Sequence, residues 1–161
     1  IVRPPFPTPI RDRSPIIGIT ASSRLRTCFR VGEALNAGCS AVRNSGNMTS
    51  NTILIELYAK ISSSHREEGG GVKQYFTFVD LFTEDRPPFV QGICECWKAS
   101  ELWEYDCGRF ITGAGGELEE NKLCRTVGRM RREGKGWRFV VLNIWEATWD
   151  DVEYARAIIC G

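Results

Sequence analysis

The chain contains a single histidine, His65, and it sits in a serine- and glycine-rich stretch that runs from Ser62-Ser63-Ser64 to Gly69-Gly70-Gly71. A general base has to be held within hydrogen-bond reach of the proton it takes, and a stretch of this kind does not hold one. No catalytic triad assembles around it. Gly113-Ala114-Gly115-Gly116 lacks the Lys-Ser/Thr ending of a phosphate loop, and Glu117, Glu119 and Glu120 follow it with charge that repels phosphate. The acids Asp80, Glu84, Asp85, Glu104 and Asp106 have no spacing that separates a magnesium site from a solvated acidic surface. Cys94-x-Cys96, with Cys107 and Cys124, departs from the paired knuckles that hold structural zinc, so these read as buried thiols. The expectation is a protein with no catalytic residue, no metal and no cofactor, and not an enzyme.

What remains is the chemistry of cations and flat rings. The 21 basic and 20 acidic side chains nearly cancel, but they are unevenly placed. Residues 1–43 carry seven arginines against Asp12 and Glu33, and residues 122–138 carry seven lysines and arginines against Glu133. The segment between them and the last stretch, 139–161, are both acidic. A fold that gathers the two basic blocks would present one positive face and a negative remainder. Single-stranded nucleic acid needs cations for its phosphates and aromatic rings for its bases. The candidate cations are Arg24, Arg26, Arg30, Arg43, Lys60, Arg129, Arg131, Arg132 and Lys135, and the candidate rings are Tyr58, Phe76, Phe78 and Trp137.

The elements that must position them follow from periodicity. Five of the seven prolines fall within the first sixteen residues, so residues 1–23 read as a proline-rich extended arm. From Arg24 the chain alternates, with Leu25, Thr27, Phe29 and Val31 on one side and an arginine stripe on the other, which predicts a first strand. Residues 36–51, rich in small and turn-forming types, read as a mobile loop. Ile53, Ile55, Leu57, Ala59 and Ile61 define the core face of a second strand, followed by a glycine-rich connection over 62–71. A third strand covers 74–82, with Phe76, Phe78 and Phe82 opposite Tyr75, Val79 and Leu81, and periodicity does not say which side is inside. Phe89–Trp97 is a short apolar run that can extend the sheet, and a short helix fits 99–110 within a glycine-rich acidic insertion at 98–121. The strand over 123–131 turns Cys124, Thr126, Gly128 and Met130 inward and Arg125, Val127, Arg129 and Arg131 outward. A basic hairpin leads to a last strand, 137–146, with Val140, Leu142 and Ile144 opposite Phe139, Val141 and Trp145. Thr148-x-x-Asp151 caps a terminal helix whose apolar positions, Val152, Ala155, Ile158 and Ile159, either cover the chain's own barrel or dock a partner subunit.

A length of 161 residues with 42% hydrophobic and 25% charged residues describes one ordinary globular domain, placed at 24–161. No apolar run approaches the roughly 20 residues that span a bilayer, and the opening lacks a signal-peptide pattern, so membrane and export are not expected. Seven cysteines, an odd set without the spacing of a disulfide framework, point to a reducing compartment. Five strands in this order, with a partly helical segment before the fourth, predict a mainly β protein, a five-stranded OB-fold-like barrel with a C-terminal helix. That topology pairs the first strand with the fourth, so the Arg24, Arg26 and Arg30 stripe is expected beside Arg125, Arg129 and Arg131.

Through this strand order, the segments Ile55-Glu56-Leu57-Tyr58-Ala59-Lys60-Ile61 and Thr126-Val127-Gly128-Arg129-Met130, and the closing helix, residues 24–160 resemble the OB-fold proteins of single-strand handling, the replication protein A middle subunit and its telomere-capping relatives. The resemblance implies a nuclear, non-enzymatic module that binds single-stranded DNA within a genome-maintenance complex and meets another subunit through its C-terminal helix. Its alternative is an OB module that binds only protein, through that helix and exposed aromatics.

Overall fold

The computed structural model describes residues 24–44, 53–111 and 121–160. The elements in chain order are β1 (Arg24–Cys28), α1 (Val31–Asn44), β2 (Ile53–Arg66), β3 (Gln74–Val79), β4 (Val90–Cys94), a 3-10 turn (Trp97–Ala99), α2 (Glu101–Gly108), β5 (Lys122–Glu133), β6 (Gly136–Glu146) and α3 (Trp149–Cys160). The arm at 1–23 and residues 112–120 of the glycine-rich acidic insertion, including Gly113–Gly116 and Glu117–Glu120, lie outside the described residues.

Strands β2 to β6 close into a five-stranded barrel: β2 pairs with β3, β3 with β4, β4 with β6 in parallel, β6 with β5, and β5 returns to β2. The order and the single parallel pair are those of an OB-fold, and the helix between β4 and β5 and the C-terminal helix complete it. Alternation drives the assembly. Ile55, Leu57, Ala59 and Ile61 of β2 meet Phe76 and Phe78 of β3, Cys124 and Met130 of β5, and Phe139, Val141 and Ile144 of β6 inside the barrel. Each fully buried apolar side chain of this kind contributes about 1.5–3 kcal/mol over its exposed state.

The first barrel strand is β2, not the segment at 24–31. β1 is an extra strand, parallel to β2 through Arg24↔Ile53 to Cys28↔Leu57, and it does not pair with β5. Its faces are also the reverse of those expected, because Cys28 enters the core and Leu25 is exposed. The expected loop at 36–51 is helical as far as Asn44, with 45–51 outside the described residues. Val31, Ala34, Leu35 and Ala37 provide a helical apolar stripe, and the small residues that suggested a loop permit close packing. A Cβ on Gly38 would stand 2.1 Å from Met130 Cγ, so α1 lies against β5 only because that position is glycine. Asp80 anchors the helix start by accepting from the Val31 amide at 3.0 Å.

Two bulges re-aim side chains. In β2, Ile61 faces Phe78 but Ser63 faces Thr77, so Ser62 is extra and the strand continues through the stretch expected to be a flexible connection. In β6, Val127 faces Asn143 and Gly128 faces Val141, so Leu142 is extra and Phe139, Val141 and Ile144 all reach the core. The expected grouping of Val140, Leu142 and Ile144 on one face therefore fails. Gly134, at φ 57°, takes the first position of the β5–β6 turn, where glycine is favoured.

Helix α2 begins at Ser100, whose hydroxyl accepts from the Trp103 amide. It is tied to the barrel by the Gln74 amide, which donates to Ser64 Oγ and to the Cys107 carbonyl, both at 2.8 Å. Helix α3 starts at the expected capping box: Asp151 accepts from the Thr148 amide at 2.8 Å and donates its own amide to Thr148 Oγ1. Its Val152 and Ala155 pack on Tyr58 and Leu81 outside the barrel, with Phe29 and Leu123 alongside.

Candidate nucleic-acid interface

The two arginine stripes do not meet. β2 stands between β1 and β5, and Arg26, Arg30, Arg125 and Arg131 carry carboxylate partners. Arg26 lies 3.9 Å from Glu33, and Arg30 donates to Asp80 at 2.7 Å, where Thr83 Oγ1 also donates. Arg125 pairs with Glu56. Arg131 pairs with Glu95 and Glu133. The physical reason is sequence distance: Asp80, Glu56 and Glu95 are supplied by strands or loops that folding, not local spacing, brings alongside, and only Glu33 and Glu133 are near neighbours in the chain. The side chains of Arg24 and Arg43 lie outside the described residues.

Three of the expected rings are not available for stacking. Tyr58 points out of the barrel but is fully buried beneath α3, with its ring 5.4 Å from that of Phe29. Burial pushes its phenol upward, with Glu56 adding to the shift. Phe76 and Phe78 are inside the barrel, 5.7 Å apart, and Phe78 meets Phe139 edge-on at 5.9 Å. Lys60 is held by Glu84, whose carboxyl is drawn below its usual range mainly by that hydrogen bond. Its ammonium also lies 5.7 Å from the Trp149 ring.

Arg132 lies 5.9 Å from the ring of Trp137, which is half-buried against the core. Arg129, Arg132 and Lys135 are exposed and, among the described residues, form no salt bridge.

The outer face of β3, β4 and β6 holds a second group, of which only Arg129 and Arg131 were expected from the sequence. Pairing places His65, Tyr75, Ile93, Val140 and Arg129 in one row across the sheet, and Ser63, Thr77, Gln91, Arg138 and Arg131 in the next. His65 stacks on Tyr75 with ring centroids 5.3 Å apart and planes 26° apart. The Arg138 guanidinium lies 5.5 Å from the same ring. Ser63 Oγ donates to Thr77 Oγ1, which donates to the Gln91 side-chain oxygen. Glu133 joins the arginines: one oxygen accepts from Arg131 Nη2 at 2.6 Å and the other from Arg138 Nε at 2.8 Å. These two hydrogen bonds, Arg131's first, hold the Glu133 carboxyl below its usual range.

The signal for this face was present but incomplete. Tyr75 and Thr77 alternate with Phe76 and Phe78, and the polar hydroxyls mark the solvent side. His65 required knowledge of the Ser62 bulge. The arrangement supplies rings for stacking, guanidiniums for anions, and hydroxyl and amide groups for base edges. Among the described residues no cluster of three or more His, Cys, Asp or Glu is placed to hold a metal, and no helix is long and apolar enough to cross a membrane.

The class this topology defines is the OB-fold, with strands β3 and β4 in the positions of its usual ligand face. No protein-family model and no curated protein sequence matches the chain. Among solved structures it is similar to a chain in the crystal structure of the S. pombe Stn1-Ten1 complex, with a TM-score of 0.44, 10% identity, and 65% of this chain and 66% of that chain covered. The match thus spans just under two thirds of that chain's length.

Proposed function

We propose that the chain is a non-enzymatic OB-fold module that binds single-stranded DNA, as a subunit of a nuclear genome-maintenance complex. The strand crosses the outer face of β3, β4 and β6 and leaves over the β5–β6 hairpin. The observation that carries this reading is the Tyr75 ring on that face, stacked with exposed His65 and flanked by Arg138. Bases extend the stack at Tyr75 and His65, Thr77 and Gln91 offer hydrogen bonds to base edges, and Arg129, Arg132 and Lys135 meet phosphates. Trp137 supports the hairpin as a half-buried platform beneath Arg132.

Fluorescence anisotropy with a labelled oligodeoxythymidine tests it. Tyr75→Ala lowers affinity roughly 5- to 150-fold, the range of one lost base stack, and Arg132→Ala with Lys135→Ala flattens the salt dependence. Absence of salt-dependent binding by the wild-type chain, or binding indifferent to Tyr75→Ala, defeats it.

A second reading has its own observation. Ile158 and Ile159, at 55% and 51% exposure, extend the apolar stripe of α3 beyond the part that covers the barrel. An adaptor that meets another subunit there loses assembly, and not oligonucleotide affinity, when those two residues are replaced by glutamate. Sedimentation velocity beside anisotropy separates the two readings.

A further inference from the structure

We infer that Arg131 and Arg138 form a phosphodiester site that Glu133 fills in the free protein, so that a bound strand engages the two guanidiniums by displacing this carboxylate. The inference rests on the polynucleotide reading of the β3–β4–β6 face and names the anion site within it.

Arg131 and Arg138 are directly opposite each other across β5 and β6. Like charges in that position repel unless an anion lies between them. Glu133 is that anion, giving one oxygen to each guanidinium, at 2.6 and 2.8 Å. A phosphodiester has two non-bridging oxygens and can bridge two arginines in the same way. The two arginines differ in what else holds them. Arg131 is tethered on its far side by Glu95, so it keeps its place when Glu133 leaves. Arg138 lies against Tyr75, so a phosphate seated on it has a neighbouring base within reach of the Tyr75 and His65 stack.

The carboxylate is also free to go. Glu133 is exposed and is the last residue of β5, paired through its backbone with Gly136 across the turn, so its side chain swings away without breaking the ladder. Exposed ion pairs are weak and a phosphodiester competes with them at modest cost. The wild-type face is nearly neutral at this point, and its binding therefore depends on stacking more than on charge. Duplexes, whose bases are not open to the Tyr75 stack, are held poorly as a result.

Anisotropy titrations of a labelled oligodeoxythymidine at several salt concentrations test the site. Glu133→Gln binds roughly two- to tenfold tighter at low salt because no carboxylate has to be displaced, while its log K against log [salt] slope stays that of the wild-type chain, which seats the same phosphate. Arg138→Ala cancels that gain in the Glu133→Gln background. Glu153→Gln, which removes an exposed carboxylate from α3, changes neither quantity. Equal gains in Glu133→Gln and Glu153→Gln, or no change in Glu133→Gln while the wild-type chain binds and Tyr75→Ala weakens it, overturn the site alone. Failure of both the wild-type chain and Glu133→Gln to bind overturns the site and the polynucleotide reading together.

Discussion

Arg125 reaches across from β5 to the buried carboxylate of Glu56 on β2, with Nε at 2.8 Å and Nη2 at 2.7 Å from the same oxygen, Oε2. Thr27 of β1 donates to the other oxygen at 2.9 Å, so one carboxylate pins three strands. The Arg125 guanidinium lies 4.7 Å from the Trp145 ring, which shields it further. Removing one partner strands the other away from water, a loss of about 3–5 kcal/mol for a buried pair. Glu56→Ala therefore destabilises the chain by about 3 kcal/mol, at the lower end because Arg125 keeps some exposure. Glu56→Leu combined with Arg125→Met recovers most of the loss. Urea denaturation of the three variants checks this, and a double variant as unstable as Glu56→Ala contradicts it.

The two faces of β3 should separate stability from binding. Phe76→Ala empties a packed barrel position and costs about 3–5 kcal/mol. Tyr75→Ala removes an outward ring and changes stability by less than about 1 kcal/mol, the usual range for a surface position. Thermal unfolding of the pair distinguishes them. A Tyr75→Ala protein as destabilised as Phe76→Ala would place the ring in the core and remove it from any ligand.

How much of this was legible beforehand depends on which forces act locally. β2 and β5 were readable because Ile53–Ile61 and Cys124–Met130 alternate without interruption, and so was the Thr148/Asp151 cap, which needs only residues three apart. α1 was not, because Asn36, Gly38 and Ser40 have turn-like propensity and the segment becomes helical as Gly38 packs on Met130. A period of two also fails at Ser62 and Leu142, where one extra residue changes the phase and only the partner strand reveals it. The charge pattern misled for a related reason. Glu56 and Arg125 are 69 positions apart, and Arg30 and Asp80 are 50 apart, so counting charges along the chain cannot show that they neutralise each other.

Cys94 should be the reactive thiol of the core. Its hydrogen bond with Cys107, helped by a backbone bond at Cys96 and the charge of Arg66, draws it below the usual thiol range, whereas burial pushes Cys28 up to about 12. The thiolate is the nucleophile, so alkylation grows as pH rises through the folded-state value. In a Cys96→Ser background, iodoacetamide labels Cys94 at a lower pH than an ordinary thiol, slowly because the site is buried, and leaves Cys28 unmodified below pH 9. Peptide mapping by mass spectrometry reads both. Labelling of Cys94 that begins only above pH 9, or persists unchanged in Cys107→Ala, contradicts the assignment.

Along α3 the covered and uncovered halves predict opposite responses to the same substitution. Ala155 faces Tyr58 and Leu81 in the satellite core, and a glutamate there buries an unpaired charge. Ala155→Glu is expected to lower stability by more than about 3 kcal/mol, or to detach the helix and expose Tyr58. Ile158 is over half exposed, and Ile158→Glu stays within about 0.5 kcal/mol of the wild-type chain. Calorimetry compares the two, and near-ultraviolet circular dichroism reports whether the Phe29–Tyr58 stack survives. A large loss from Ile158→Glu would mean that the end of α3 is packed on this chain and has no face to offer another subunit, which removes the adaptor reading while leaving the β3–β4–β6 face untouched.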